Sequence, residues 1–176
     1  MKIASIRNYP LQMSFIPPVA ANMRRATTHT ERVTVYRVEL DNGIVGWGDS
    51  HGEADLSEHV GRLAMELLHG QVPDALRMAC FDAVGKTMDV PAHVLMGVQR
   101  RPRIPFAYWT IDLPPDLLAQ QIRYAADLGY RTYKLKVRPW WDLIEQAEHA
   151  AEHAPPGFKI WTDFNGHLRD AQQAIP

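Results

Sequence analysis

The chain has 176 residues, 46% of them hydrophobic, and its 19 basic and 20 acidic residues leave a net charge of −1. This balance gives no electrostatic reason to expect nucleic acid or an anionic membrane as a partner. No apolar run approaches the roughly 20 residues that span a bilayer, the N-terminus does not resemble a signal peptide, and the single cysteine fits a reducing compartment. We therefore expect a cytoplasmic globular protein with one domain, or with a small domain and part of another.

The N-terminal hundred residues have the pattern of an antiparallel sheet followed by helices. Residues 2–11 and 31–40 are strand-like, and the Asp-Asn-Gly turn at 41–43 is a strong hairpin signal before a third strand. Helices are predicted over 57–68 and 73–86, with a short turn at 91–96. Residues 14–30, which include Arg24, form a long loop between the first two strands, and loops of this length are usually functional or disordered.

Three extended segments recur in the C-terminal part at intervals of about 27 residues, at 104–110, 131–137 and 158–163. Helical patterns lie between them: the first ends at Gly129, which suits a left-handed cap, and the second begins at Asp142, which suits an N-cap. This alternation is typical of parallel βαβ units. The predicted domains are 1–99 and 100–176.

Polar residues occupy one face at the ends of two of these strands. Lys134 and Lys136 alternate with apolar residues, and Asp163 and Asn165 close the next strand. An isolated Lys-x-Lys is usually only a half-solvated strand, but two lysines ending an otherwise apolar strand are costly unless something needs them. The C-terminal strand ends form the active face of a (β/α) barrel, so we expect these four side chains to converge there.

Four motifs in order carry a resemblance to a known family. They are TVYRVEL at 34–40 running into GIVGWGDS at 43–50, ACFDAVGK at 79–86, KLK at 134–136, and WTDFNG at 161–166. Together they resemble the mandelate racemase and muconate lactonizing enzyme branch of the enolase superfamily. The resemblance implies an α+β capping domain, with an antiparallel three-stranded sheet and helices, followed by the first three βα units of an incomplete (β/α) TIM-type barrel.

The resemblance also implies a Mg²⁺-dependent enzyme that removes the α-proton of a small carboxylate substrate, as a racemase, epimerase, acid-sugar dehydratase or cycloisomerase. It assigns Lys136 as the base, Lys134 as the neighbour that tunes it by like-charge repulsion and touches the substrate carboxylate, and Asp163 as the first Mg²⁺ ligand.

Three further residues are substrate-binding candidates: Asn165, Trp109 and, by resemblance, Arg24. Each has a simpler explanation, since Asn165 also suits a turn before Gly166, Trp109 suits packing and Arg24 suits a solvated loop.

Against the family pattern, the chain ends within the third barrel helix, and the strands that carry the other acidic ligands are absent. We therefore expect the 176-residue chain to bind Mg²⁺ weakly, to be inactive alone, and to leave Tyr133, Leu135 and Ile160 poorly covered. The complete protein is expected to form a homo-oligomer. An alternative is a non-catalytic remnant or an assembly fragment.

A second alternative comes from His149, Glu152 and His153, which match the His-x-x-Glu-His signature of inverted zinc peptidases. This would make the chain a zinc metallopeptidase fragment. The motif lies on a predicted helix whose polar side faces water, and no third ligand is evident in the sequence. Paired histidines on a solvated helix are usually accidental, so this interpretation is the less favoured one.

Overall fold

A computed structural model describes residues 1–15, 17, 20, 21, 23 and 31–168 of the chain. Contacts between residues divide the chain into two compact units, with the main change between Pro102 and Arg103. The first unit contains an antiparallel sheet with helices and the second contains parallel strands with helices. These arrangements confirm the predicted fold class. Within the described residues, no helix is long and apolar enough to cross a membrane.

The first unit is built on three antiparallel strands in the order β1 (Ile3–Gln12), β2 (Arg32–Leu40) and β3 (Val45–His51). Alternation along β2 buries Tyr36, Val38 and Leu40 in the core. The predicted hairpin turn is present, with Gly43 at a φ of +80°, a conformation that glycine adopts without strain.

Four helical segments follow β3. They are a single 3-10 turn at Ser57–His59, α1 (Ala64–Leu67), α2 (Asp74–Met88) and α3 (Ala92–Leu95). The predicted continuous helix over 57–68 is therefore wrong. Gly61 has a φ of +86° and its N–H donates to the Ile3 carbonyl, while the Ile3 N–H donates to the Arg62 carbonyl. Pairing with the start of β1 uses the backbone N–H of Gly61 and the carbonyl of Arg62, so these groups cannot form the hydrogen bonds of a helix.

Helix α2 packs directly on the backbone of β3. A Cβ atom added to Gly46 would lie 2.0 Å from the Ala79 carbonyl oxygen, and one added to Gly48 would lie 2.0 Å from that of Ala75. Both alanines are buried on the same face of the helix. The glycines and alanines therefore allow the two backbones to approach closely.

This close approach makes Gly46→Ala a severe change. We expect it to lower the free energy of unfolding of the first unit by at least about 2 kcal/mol, because the helix must move away from the strand. Urea titration followed by circular dichroism measures the loss. Asp49→Ala, at an exposed position of the same strand, is the matched control and should cost far less. Equal stability of the two variants would contradict the packing described here.

The second unit contains three parallel strands in the order β4 (Tyr108–Trp109), β5 (Thr132–Lys136) and β6 (Lys159–Asp163), with α4 (Pro115–Asp127) and α5 (Leu143–His153) between them. The helix expected after β6 lies outside the described residues. Helix α5 begins as predicted, since Asp142 Oδ1 accepts hydrogen bonds from the N–H groups of Ile144 and Glu145 at 2.8 and 3.1 Å.

The first parallel strand is shorter than the predicted segment 104–110. Pro105 has no N–H to donate to a strand ladder, and the side chains of Ile104 and Phe106 are exposed rather than packed. Only Tyr108 and Trp109 pair with β5, opposite Tyr133 and Lys134.

The apolar face of β5 is better covered than the sequence suggested. Tyr133 and Leu135 are 0% and 1% exposed, and Ile160 is half-buried, so the expected poor covering of this face is wrong. Crossover helices of parallel strands pack on the sheet, and α4 contributes the buried Leu118 and Ile122 to this unit. The crossover helices therefore supply cover without a closed barrel.

Candidate active site

The register of the parallel strands sets the geometry of the candidate site. Lys136 lies directly opposite Asp163 across the pair β5 and β6, and Lys134 lies opposite Trp161. On the other side of β5, Lys134 pairs with Trp109. The structure thus brings Lys134, Lys136 and Asp163 to one end of adjacent strands, where the sequence pattern had placed them.

Asp163 is the centre of this arrangement. Its Oδ2 atom lies 2.8 Å from Lys134 Nζ and 2.8 Å from Lys136 Nζ. Hydrogen bonds from Lys134, then from Lys136 and from the Asn165 N–H, hold the pKa of Asp163 well below its usual range despite partial burial. The carboxylate is therefore ionised at any ordinary pH, and it offsets the repulsion between the two ammonium groups.

Asn165 is both a turn residue and a site residue. It has a φ of +47°, which asparagine tolerates better than most residues, and its N–H donates to Asp163 Oδ1 at 2.9 Å. Its own Oδ1 atom accepts hydrogen bonds from Lys136 Nζ and, at 3.3 Å, from Arg138 Nη1. The turn after β6 therefore fixes the amide beside Lys136, and the two explanations of this residue are compatible.

Two tryptophans lie next to the lysines. Lys136 Nζ is 5.9 Å from the centre of the Trp109 ring, and Lys134 Nζ is 5.2 Å from that of Trp161. Both distances suit cation–π attraction. Trp109 is half-exposed, so the predicted pocket-lining residue does adjoin the lysines, whereas Trp161 was not singled out from the sequence.

Sequence reasoning missed a buried charge pair beside the lysines. Arg138 Nε lies 3.7 Å from Asp112 Oδ1, and both residues are at most 5% exposed. Asp112 Oδ2 accepts from the indole N–H groups of Trp140 and Trp141 at 3.0 and 3.1 Å. Arg138 Nη1 also contacts His167 Nε2 at 3.2 Å. The sequence did contain a signal for these residues. The alternation of polar residues along each strand continues from Lys136 to Arg138 and from Asn165 to His167.

No family model matches the chain. The N-succinyl-L-Arg/Lys racemase of Bacillus cereus is 22% identical over an alignment that covers 78% of this chain and 44% of the racemase. The solved structure of the racemase from B. cereus ATCC 14579 superposes with a TM-score of 0.79 at 19% identity, over 99% of this chain and 55% of the racemase. Over the part that it covers, this chain shares the fold of the racemase.

Two other solved structures share this fold. Muconate lactonizing enzyme from Pseudomonas putida matches with a TM-score of 0.73 at 18% identity, over 99% of this chain and 55% of the enzyme. The dipeptide epimerase from Enterococcus faecalis V583 was solved with Mg and the dipeptide L-Leu-L-Tyr. It matches with a TM-score of 0.70 at 19% identity, over 94% of this chain and 54% of the epimerase. The resemblance drawn from the motifs is confirmed, and the chain spans about half the length of these relatives.

The described residues fit Mg²⁺ in kind but supply only one acidic ligand. A carboxylate has about four acceptor positions, and Asp163 uses three of them for two lysines and one backbone N–H. One position remains for a hard cation. Among the described residues, the only group of three or more acidic, histidine or cysteine ligands lies on α5. Since Mg²⁺ demands octahedral oxygen coordination, Asp163 fits one corner of such a site.

Two predicted features lie elsewhere. Arg24 falls outside the described residues. The ligand atoms of His149, Glu152 and His153 on α5 lie within 4.8 Å of one another, so the structure does bring these three side chains together.

Asp163→Asn tests the central role of the carboxylate. We expect the second unit to lose about 1–3 kcal/mol of stability at neutral pH, because two ammonium groups lose their anion. A lowered folded-state pKa gives stabilisation that is complete above the ordinary aspartate pKa of about 3.9 and is lost as the pH falls through the lower folded value. The variant should therefore lose less stability than the native chain below about pH 4. Urea unfolding across pH 2–7 measures both effects.

Asp127→Asn, at the exposed end of α4, serves as the matched control and should leave the acid dependence unchanged. An identical acid dependence in the native chain and the Asp163 variant would contradict the ion pairs described here.

Proposed function

We propose that this chain supplies the base and the first metal ligand of an active site that removes the α-proton of a carboxylate substrate. The observation that carries the proposal is the convergence of Lys134, Lys136 and Asp163 at the ends of adjacent parallel strands. The strand ends are where barrel enzymes place their chemistry. The racemase and epimerase names of the relatives support the same reaction class.

The side chains suit distinct tasks. Lys136 is buried, so its Nζ atom is the better proton acceptor in a water-poor site, whereas Lys134 is 29% exposed and can meet the carboxylate of an incoming substrate. Asn165 holds an amide next to the Lys136 nitrogen, and Trp109 offers an apolar wall on the other side. A bound Mg²⁺ held by Asp163 would supply positive charge to the substrate carboxylate, which makes the α-proton more acidic.

Neighbouring charges act on Lys136 in opposite directions. The positive charge of Lys134 repels that of Lys136, whereas the Asp163 carboxylate, 2.8 Å from Lys136 Nζ, attracts it.

The substrate class follows from the relatives and remains part of this proposal. An N-succinyl amino acid and a dipeptide both carry an acylated nitrogen on the carbon that bears the acidic proton, next to a carboxylate. We therefore favour N-acylated α-amino acids over simple hydroxy acids or dienoic acids. The reaction would be racemisation or epimerisation, with dehydration and cycloisomerisation as the other outcomes open to this fold.

Lys136→Ala, in a protein that carries this sequence with a complete barrel, tests the assignment of the base. We expect exchange of the substrate α-proton to fall at least about 100-fold, because the proton acceptor is lost, while Mg²⁺ affinity stays nearly unchanged. Loss of the α-proton signal in D₂O, followed by NMR for an N-succinyl amino acid, a dipeptide and a hydroxy acid, measures exchange. Lys134→Ala should lower turnover without abolishing it.

Lys159→Ala is the matched control for removal of a lysine, since Lys159 is exposed at the opposite end of β6. Exchange that survives in Lys136→Ala would overturn the assignment. Absence of exchange for all three substrate classes in the native complete protein would favour the alternative of a non-catalytic protein.

The 176-residue chain should bind Mg²⁺ only weakly and should show no α-proton exchange. Among the described residues no group of three or more acidic, histidine or cysteine ligands lies at the strand ends, and a single carboxylate such as Asp163 gives poor Mg²⁺ affinity. Calorimetric titration with Mg²⁺ and NMR in D₂O test both statements on the purified chain. Tight, stoichiometric binding with turnover would instead show that a second chain completes the site.

A further inference from the structure

Helix α5 carries a cluster of potential ligands that the proposed reaction does not use. His149, Glu152 and His153 occupy positions i, i+3 and i+4, which share one face of a helix, and one ligand atom from each lies within 4.8 Å of the others. The two imidazole rings are parallel to within 4°, with centroids 6.3 Å apart. Two nitrogen ligands and one oxygen ligand therefore converge on one point of the helix surface.

The hydrogen bonding of His153 prepares its ring for a metal ion. His153 Nδ1 lies 2.8 Å from the backbone carbonyl oxygen of His149. A carbonyl oxygen only accepts hydrogen bonds, so Nδ1 carries the proton and the neutral ring has its lone pair on Nε2. Metal-binding histidines are commonly oriented in this way, by a bond from the second ring nitrogen to a backbone carbonyl.

The other two side chains have no competing structural partner. His149 Nδ1 is buried without a hydrogen-bond partner, an arrangement that is costly for a polar atom. Glu152 is exposed, and within the part of the chain that the structure describes it takes part in no ion pair that would compete for its carboxylate. The cluster therefore contains a negative charge without an ion-pair partner and an imidazole whose buried nitrogen has no hydrogen-bond partner.

We propose that His149, Glu152 and His153 bind a divalent transition metal ion of the Zn²⁺ class. Imidazole nitrogens favour Zn²⁺, Ni²⁺ and Cu²⁺ over Mg²⁺, so this site is chemically distinct from the strand ends. Tetrahedral Zn²⁺ places its ligand atoms about 3.4 Å apart, so these three atoms, which lie within 4.8 Å of one another, would move closer together on binding. Three protein ligands leave one coordination position open to water or to another donor.

The site differs from a zinc peptidase. In that signature the two histidines are ligands, the glutamate acts as a base and a separate third ligand completes the site. Among the described residues no fourth side chain joins the cluster, and Glu152 itself is the third ligand. The bound ion would link two adjacent turns of α5 and stabilise the helix rather than hydrolyse a substrate.

Calorimetric titration of the purified 176-residue chain with Zn²⁺, in a buffer that contains excess Mg²⁺, tests the proposal. We expect one Zn²⁺ per chain at this site and at least a tenfold loss of affinity in His149→Ala and in His153→Ala. Glu152→Gln should weaken binding by a smaller factor, because the amide oxygen is a poorer ligand. Binding should also weaken on acidification, since protons compete for the imidazole lone pairs.

Two matched controls address the other histidines and acids of the chain. His93→Ala removes an exposed histidine from α3, and Glu148→Gln removes an exposed glutamate from α5 itself. Both should leave Zn²⁺ affinity unchanged, as should Lys136→Ala, which separates this site from the proposed reaction. The absorption bands of bound Co²⁺ report directly on nitrogen ligation and should disappear in His153→Ala with helicity retained. Affinity that is equal in His153→Ala and His93→Ala would overturn the proposal.

Discussion

Compensation of positive charge by Asp163 is the interaction on which the rest of the candidate site depends. Two ammonium groups share its Oδ2 atom, and its Oδ1 atom fixes the turn that follows β6. Without an anion at this position, Lys134 and Lys136 would face each other at the end of a largely buried strand. The desolvation cost of two unpaired cations would oppose the packing that forms the sheet.

The network extends outward from this carboxylate to a second buried acid. Asn165 links Lys136 to Arg138 through one amide oxygen, and Arg138 is in turn balanced by Asp112. Two indole N–H groups then satisfy the other oxygen of Asp112. The contacts thus run from one carboxylate through two cations, bridged by a neutral amide, to a second carboxylate in the segment after β4, so the ends of the three strands are coupled electrostatically as well as by backbone pairing.

The parts of the fold that depend on local pattern could be predicted from the sequence. The helix before Gly129 and the one that begins at Asp142 have strong periodicity and clear caps, and the structure contains both. The predicted helix over 57–68 failed because a distant partner, the start of β1, takes its backbone groups. The first parallel strand was predicted to be longer than it is, because its hydrophobicity suggested pairing over residues 104–110 and Pro105 within that segment limits it.

The candidate site likewise has features that local pattern predicts and features that depend on distant partners. Alternation placed Lys134 and Lys136 on one face, and the repeat placed Asp163 beside them, because parallel strands of equal period align their ends. The contacts of Arg138 with Asp112 and His167 depend on register and side-chain reach across elements far apart in sequence. No local pattern specifies such partners, although the continued alternation of polar residues does identify which side chains face that way.

The position of the lysines over two indole rings has an optical consequence. The emission of a tryptophan shifts with the electric field across its ring, and Trp109 and Trp161 each have an ammonium group within 6 Å of the ring centre. Displacement of either lysine by a ligand would change that field without altering the fold. The protein therefore contains its own spectroscopic reporters of what occupies the ends of these strands, and they need no attached dye.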